Sequence, residues 1–151
     1  MDVNQLDTEK FIGLCGAIYS ADGFLAKLAP VTQHQGIHVI AVKGRKMILI
    51  RCAVESASAR EIDQLSQCRP HLQKLLPGFE IGLAFFSKEA LSKEIITTCK
   101  SNGVEAFDVK KITTLAVKSG IGLEHIYSAL DNRISRLEDL QGTFQPAIVS
   151  V

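Results

Sequence analysis

With 151 residues the chain is long enough for one hydrophobic core and too short for two comfortable ones, so it reads as a single domain over 1–151. Hydrophobic residues make up 46% and charged residues 22%, the range of an ordinary soluble globular protein; a formal charge of +1 removes any general electrostatic argument for gripping a phosphate backbone. No stretch approaches the length of a spanning helix, and Met1-Asp2-Val3-Asn4-Gln5 lacks the basic and apolar parts of a secretory signal, so membrane insertion is not expected and a cytoplasmic location is.

Asp7 or Thr8 can cap a first helix whose Phe11, Leu14, Cys15 and Ile18 give a buried stripe, ended by Asp22-Gly23. Residues 24–31 read as a partly exposed strand, followed by the polar loop 32–36. Residues 37–42 and 46–53 form a β-hairpin across the turn Lys43-Gly44-Arg45. The apolar run Met47-Ile48-Leu49-Ile50 fits a central strand covered on both faces. Ile48, Ile50 and Phe85 are the expected centre of the core.

Ser56 or Ser58 can cap a second helix carrying Ile62 and Leu65, which should weaken near Pro70 because proline has no N–H to give. After Pro77-Gly78, residues 80–86 read as a strong strand, and Ser87 can cap a helix with Leu91, Ile95 and Ile96 that stops at Asn102-Gly103. A short strand over 104–109 and a short helix over 110–117 follow, and Gly120 to Gly122 break the chain. Leu123, Ile126, Leu130, Ile134, Leu137 and Leu140 then recur at intervals of three and four, which predicts one amphipathic helix over 123–140. Alternating helix and strand signals make the fold class α/β, a sandwich around one sheet.

The order of elements over 7–118 resembles the Mrr-type branch of the restriction endonucleases. The helix from Phe11 to Gly23-Phe24, the hairpin Gly36-Ile37-His38-Val39-Ile40-Ala41 with Leu49-Ile50-Arg51-Cys52-Ala53, and the segment Ile81 to Ala90 through Phe107-Asp108 carry the resemblance. It implies a restriction-endonuclease-like α/β/α sandwich with a mixed central sheet, to which the C-terminal helix is an addition. In that family the hairpin holds an aspartate, a second carboxylate or amide, and a lysine, which together bind a divalent cation and orient the attacking water. Here His38, Arg51 and Ala53 stand at those three positions. The resemblance therefore implies a site without catalytic residues, metal or cofactor.

The remaining candidates have plainer expectations. His34 and His38 sit at a loop-to-strand junction, not on one helix face, so His38 is read as a hydrogen-bonded structural residue. Arg51 is expected to pair with Glu9. Glu55 and Glu61 could supply a relocated carboxylate and Lys43 or Lys46 a relocated lysine for a nuclease site, but they are expected to be solvated surface charges. Cys15, Cys52, Cys68 and Cys99 form no C-x-x-C pair and are expected to be reduced, mostly buried thiols.

The function expected from these readings is a non-catalytic, protein-interaction subunit of a larger assembly. Its protein partner, or its own copy in a homo-oligomer, would meet the seam Leu123, Ile126, Leu130, Ile134, Leu137 and Leu140. The alternatives are a nucleic-acid-binding domain using Lys43, Arg45, Lys46 and Arg51, or a divergent Mrr-like DNA endonuclease; the sequence leaves open whether the chain is an enzyme.

Overall fold

In the computed structural model, which describes residues 2–30, 36–53, 56–136 and 144, the five strands lie side by side in chain order. They are β1 (Leu25–Leu28), β2 (Val39–Lys43), β3 (Lys46–Ala53), β4 (Glu80–Ser87) and β5 (Val104–Phe107). The first three are antiparallel neighbours, whereas β3, β4 and β5 run parallel. Connection length decides this. Only Gly44 and Arg45 separate β2 from β3, and Gly44 takes φ +62 while Arg45 keeps a negative φ, the combination of a II′ hairpin turn. The later connections contain α2 (Ala59–Leu75) and α3 (Lys93–Ser101), long enough to carry the chain back to the same end of the sheet.

Alternation along β3 sorts its side chains into two cores. Ile48, Ile50 and Cys52 join Ala84 and Phe86 under α1 (Thr8–Ala21), α4 (Val109–Lys118) and α5 (Leu123–Leu130). Met47, Leu49 and Ala53 join Leu83 and Phe85 under α2 and α3. Ile48, Ile50 and Phe85 are all buried, as expected of the most apolar strands. α1 is buried along its whole stretch from Phe11 to Ile18, because the sheet takes one side and α5 another. The contact is close: a Cβ on Gly13 would lie 3.0 Å from the Ile126 carbonyl oxygen and 3.1 Å from Leu130.

Several local expectations are corrected. β1 is shorter than 24–31; Val31 and the loop residues up to Gln35 lie outside the described residues. α2 continues through Pro70 to Leu75, with Ile62, Leu65 and Leu72 on its buried face. Ser58, not Ser56, is the cap, in a reciprocal arrangement with Glu61. Ser87 does not cap the next helix. It is buried at the end of β4 and its Oγ accepts the Glu89 N–H, while Ser92 accepts the Ile95 N–H and starts α3.

The predicted helix over 123–140 ends at Leu130. Beyond it the backbone becomes extended and joins the edge of β1: the Leu28 N–H donates to the Asn132 carbonyl (2.7 Å), and the Ile134 N–H to the Leu28 carbonyl (2.9 Å). An unpaired strand edge offers this segment the hydrogen bonds that a further helical turn would have supplied. Leu137 and Leu140 lie outside the described residues. Among those described, no helix is long and apolar enough to cross a membrane.

Candidate functional site

At the end of β3, next to the start of β2, the structure brings His38 and Arg51 into one corner. The His38 N–H donates to the Ile50 carbonyl (2.8 Å), its carbonyl accepts the Ala29 N–H (2.9 Å), and its Nδ1 accepts the Cys52 N–H (2.8 Å). An Nδ1 that accepts a backbone amide is not offering that lone pair to a cation. Arg51 lies on the α2 face of the sheet, and its Nε is 3.7 Å from Glu61 Oε2, with the two side chains only 16% and 20% exposed. The expected pairing with Glu9 is thus corrected. α1 covers the opposite face, and Glu9 instead meets Arg133 at 3.4 Å, whose Nη1 donates to the Ala29 carbonyl.

The other groups at this corner are also engaged. Glu61 Oε1 accepts both the N–H (3.1 Å) and the hydroxyl (3.2 Å) of Ser58, so the carboxylate divides its oxygens between a helix cap and a guanidinium. Ala53 is buried among apolar neighbours and offers no functional group. One residue past β4, the Lys88 N–H donates to the Ala53 carbonyl (3.4 Å) and its Nζ to the Leu6 carbonyl. Lys88 escaped the sequence reading, because only strand register places it next to Ala53. His34 and Glu55 lie outside the described residues. Among the described residues no group of three or more His, Cys, Asp and Glu is arranged to hold a metal ion.

Beneath the corner, Cys52 Sγ lies 3.6 Å from Cys15 Sγ on α1, and both thiols are buried. Burial pushes Cys15 well up, and the neighbouring Cys52 adds to the shift. Burial also raises Cys52, but contact with Cys15 and with His38, together with the charge of Arg51, outweighs it and holds the thiol below its ordinary value. The two thiols are thus shifted in opposite directions, Cys15 up and Cys52 down.

The four expected nucleic-acid contacts do not form one patch. Lys43, Arg45 and Lys46 are exposed at the β2–β3 turn, while Arg51 sits five residues along β3 from Lys46, roughly 17 Å away. Lys43 is tied down, donating Nζ to the Asp22 carbonyl (2.8 Å) and lying 5.2 Å from the centre of the Phe24 ring. Near this turn, between α1 and α4, a cleft of about 610 Å³ opens over Ile48, Phe86 and Phe107. Its charged lining mixes Lys46, Lys111 and Lys118 with Asp22 and Glu105, and Lys111 is already 3.6 Å from Glu105.

No protein-family model and no curated protein matches the chain. A solved structure, the MspJI restriction endonuclease in complex with a 27-mer oligonucleotide, superposes on it with a TM-score of 0.56 at 12% identity, covering 89% of this chain and 35% of that one. The chain has a restriction-endonuclease-like fold. It spans about a third of that protein's length, so the likeness concerns architecture and not activity.

Within the restriction-endonuclease-like fold, three of the four described residues of the seam predicted on the C-terminal helix serve the domain's own core. Ile126 is fully buried against α1, Ile134 is buried on the other side of the sheet, and Leu130 is half-buried beside Gly13. Leu123 alone of the described seam residues is exposed, at 49%, with Tyr127 one turn further along at 50%. Among the described residues the seam is therefore divided between two layers, and does not form one external stripe.

Proposed function

We propose that this chain is a non-cleaving, Mrr-like version of the restriction-endonuclease-like fold, acting by binding within a larger assembly. The observation that carries the reading is the Arg51–Glu61 pair. A guanidinium occupies the β3 position where the Mrr-type pattern has a carboxylate or amide, and the nearest carboxylate neutralises it while capping α2. A divalent cation placed there would face a fixed positive charge and a histidine nitrogen already given to the Cys52 amide. The exposed pair Leu123 and Tyr127 on α5 is the part of the C-terminal helix left to meet a protein partner.

A nucleic-acid-binding reading is favoured by one observation, the exposed cationic turn Lys43, Arg45 and Lys46, and is compatible with a fold shared by an endonuclease that holds an oligonucleotide. Incubation with plasmid and single-stranded DNA in magnesium or manganese tests the first reading. No cleavage above background is expected. Metal-dependent cleavage abolished in Glu61→Gln or Glu55→Gln would overturn it and reveal a relocated site. Titration of a labelled duplex at two salt concentrations tests the second. Binding that weakens with salt and is lost in Arg45→Ala/Lys46→Ala supports nucleic acid as the partner, and absence of binding leaves the protein interface.

A further inference from the structure

Cys15 and Cys52 are separated by 37 residues of sequence, yet their sulfurs are 3.6 Å apart across the interface between α1 and the central strand. Two thiols on different elements meet this closely only where packing fixes both, and here both are held. Cys15 sits in the fully buried part of α1, while Cys52 is fixed in β3 and its amide is held by His38. Cys99 and the half-buried Cys68 belong to the packing on the opposite face of the sheet. We propose that Cys15 and Cys52 are a covalent modification site, forming a reversible disulfide when the folded protein meets hydrogen peroxide or a small organic hydroperoxide.

The chemistry balances with peroxide as the oxidant. The Cys52 thiolate attacks one peroxide oxygen, the O–O bond breaks, and hydroxide leaves and takes up the proton that Cys52 lost on ionising, giving Cys52 sulfenic acid and water. The Cys15 sulfur then attacks the Cys52 sulfur, the S–O bond breaks, and the departing hydroxide takes the Cys15 proton as water. Each molecule of peroxide thus oxidises two thiols and is reduced to two molecules of water. The sulfurs need only close from contact to the S–S bond length of about 2.05 Å. Contact with Cys15 and His38 and the charge of Arg51 favour ionisation at Cys52, whereas burial and the neighbouring Cys52 keep the proton on Cys15, the resolving thiol. A small uncharged oxidant suits a buried pair, because it can enter during local opening that would not admit a bulky aromatic disulfide.

The experiment treats the folded full chain with hydrogen peroxide, alkylates the remaining thiols after denaturation, and maps the peptides by mass spectrometry. The expected result is a product two hydrogens lighter with Cys15 linked to Cys52, Cys68 and Cys99 still alkylated, and reversal by dithiothreitol. In Cys15→Ala, Cys52 sulfenic acid should accumulate and be trapped by dimedone; Cys52→Ala should give neither the adduct nor the link. The same treatment in concentrated urea should yield the link more slowly, because the unfolded chain no longer holds the sulfurs together. If the native chain keeps Cys15 and Cys52 alkylatable while Cys68 oxidises, or forms the link only in urea, the proposal fails. The wild-type comparison decides this even if a variant does not fold.

Discussion

His38 Nδ1 accepts the backbone N–H of Cys52 at 2.8 Å, so a side chain that precedes β2 closes the hydrogen bonding at the far end of β3. This gives the histidine a task that an aspartate-for-metal reading would never assign to it. His38→Ala leaves a part-buried amide without its acceptor and should cost about 1–3 kcal/mol, measured as a lower urea midpoint at unchanged slope. His38→Asn, whose side-chain oxygen can take the place of Nδ1, should recover most of the loss. Equal midpoints for His38→Ala and the parent would show that the bond contributes nothing.

The Arg51–Glu61 pair predicts an asymmetry. Glu61→Ala removes the partner of a largely buried guanidinium together with half of the reciprocal cap on α2, and should destabilise by about 1–3 kcal/mol. Arg51→Met in the Glu61→Ala background should cost less than Arg51→Met alone, because the charge it removes is already unpaired. A double-mutant cycle on chemical denaturation reads the coupling; strict additivity would mean that the pair is electrostatically silent.

Two glycines on α1 should respond in opposite senses. Gly13→Ala would place its methyl 3.0 Å from the Ile126 carbonyl oxygen, a backbone atom that cannot step aside without moving α5, and should destabilise by about 1–3 kcal/mol. Gly16→Ala would meet only ordinary contacts, 3.6 Å from Ala129 and from Leu28, and should gain up to about 1 kcal/mol from better helix propensity. Thermal melts of the two variants make the comparison. A Gly13→Ala protein that melts higher than the parent would contradict the closeness of the two helices.

Tyr19 links stability to alkaline pH. Burial, followed by the nearby charge of Glu105, raises its phenol well above the ordinary value of 10.0. A group whose value is raised by folding contributes stability that is complete below its unfolded value and is lost as pH climbs above it. In a Tyr127→Phe background Tyr19 is the remaining tyrosine, so tyrosinate absorbance should appear together with loss of circular dichroism and not before it. Tyr19→Phe should move the alkaline unfolding midpoint to higher pH. Tyrosinate absorbance that rises near the ordinary value with the fold intact would contradict the burial.

The hairpin, the central strand and the alternation of helices with strands were legible in the sequence, because each leaves a local signal: Gly44 at the turn, an unbroken apolar run at Met47–Ile50, and caps at Asp7 and Ser58. Contacts between distant elements leave none. Alternation places Arg51 on one face, but does not say which helix covers that face, so Glu9 was a reasonable partner and Glu61 the actual one. The Cys15–Cys52 contact is equally invisible in a one-dimensional pattern. The stripe from Leu123 onward misled for a different reason. Ile134 keeps the helical interval, yet it is buried from an extended segment, where the backbone of Leu28 offered better bonds than another turn.

That short segment after α5 covers part of the sheet's outer edge. β1 is four residues long and carries the sheet's outer row of amides and carbonyls on one side. Asn132 and Ile134 occupy the groups of Leu28, Lys27 donates its Nζ to the Asn132 side chain, and Arg133 reaches over to the Ala29 carbonyl. A chain cut after Leu130 would retain all five strands and the buried face of α5, yet would present an open rim to any neighbouring polypeptide. Such rims recruit strands from other molecules, so the truncated protein is expected to associate edge to edge more readily than the parent although its core is intact.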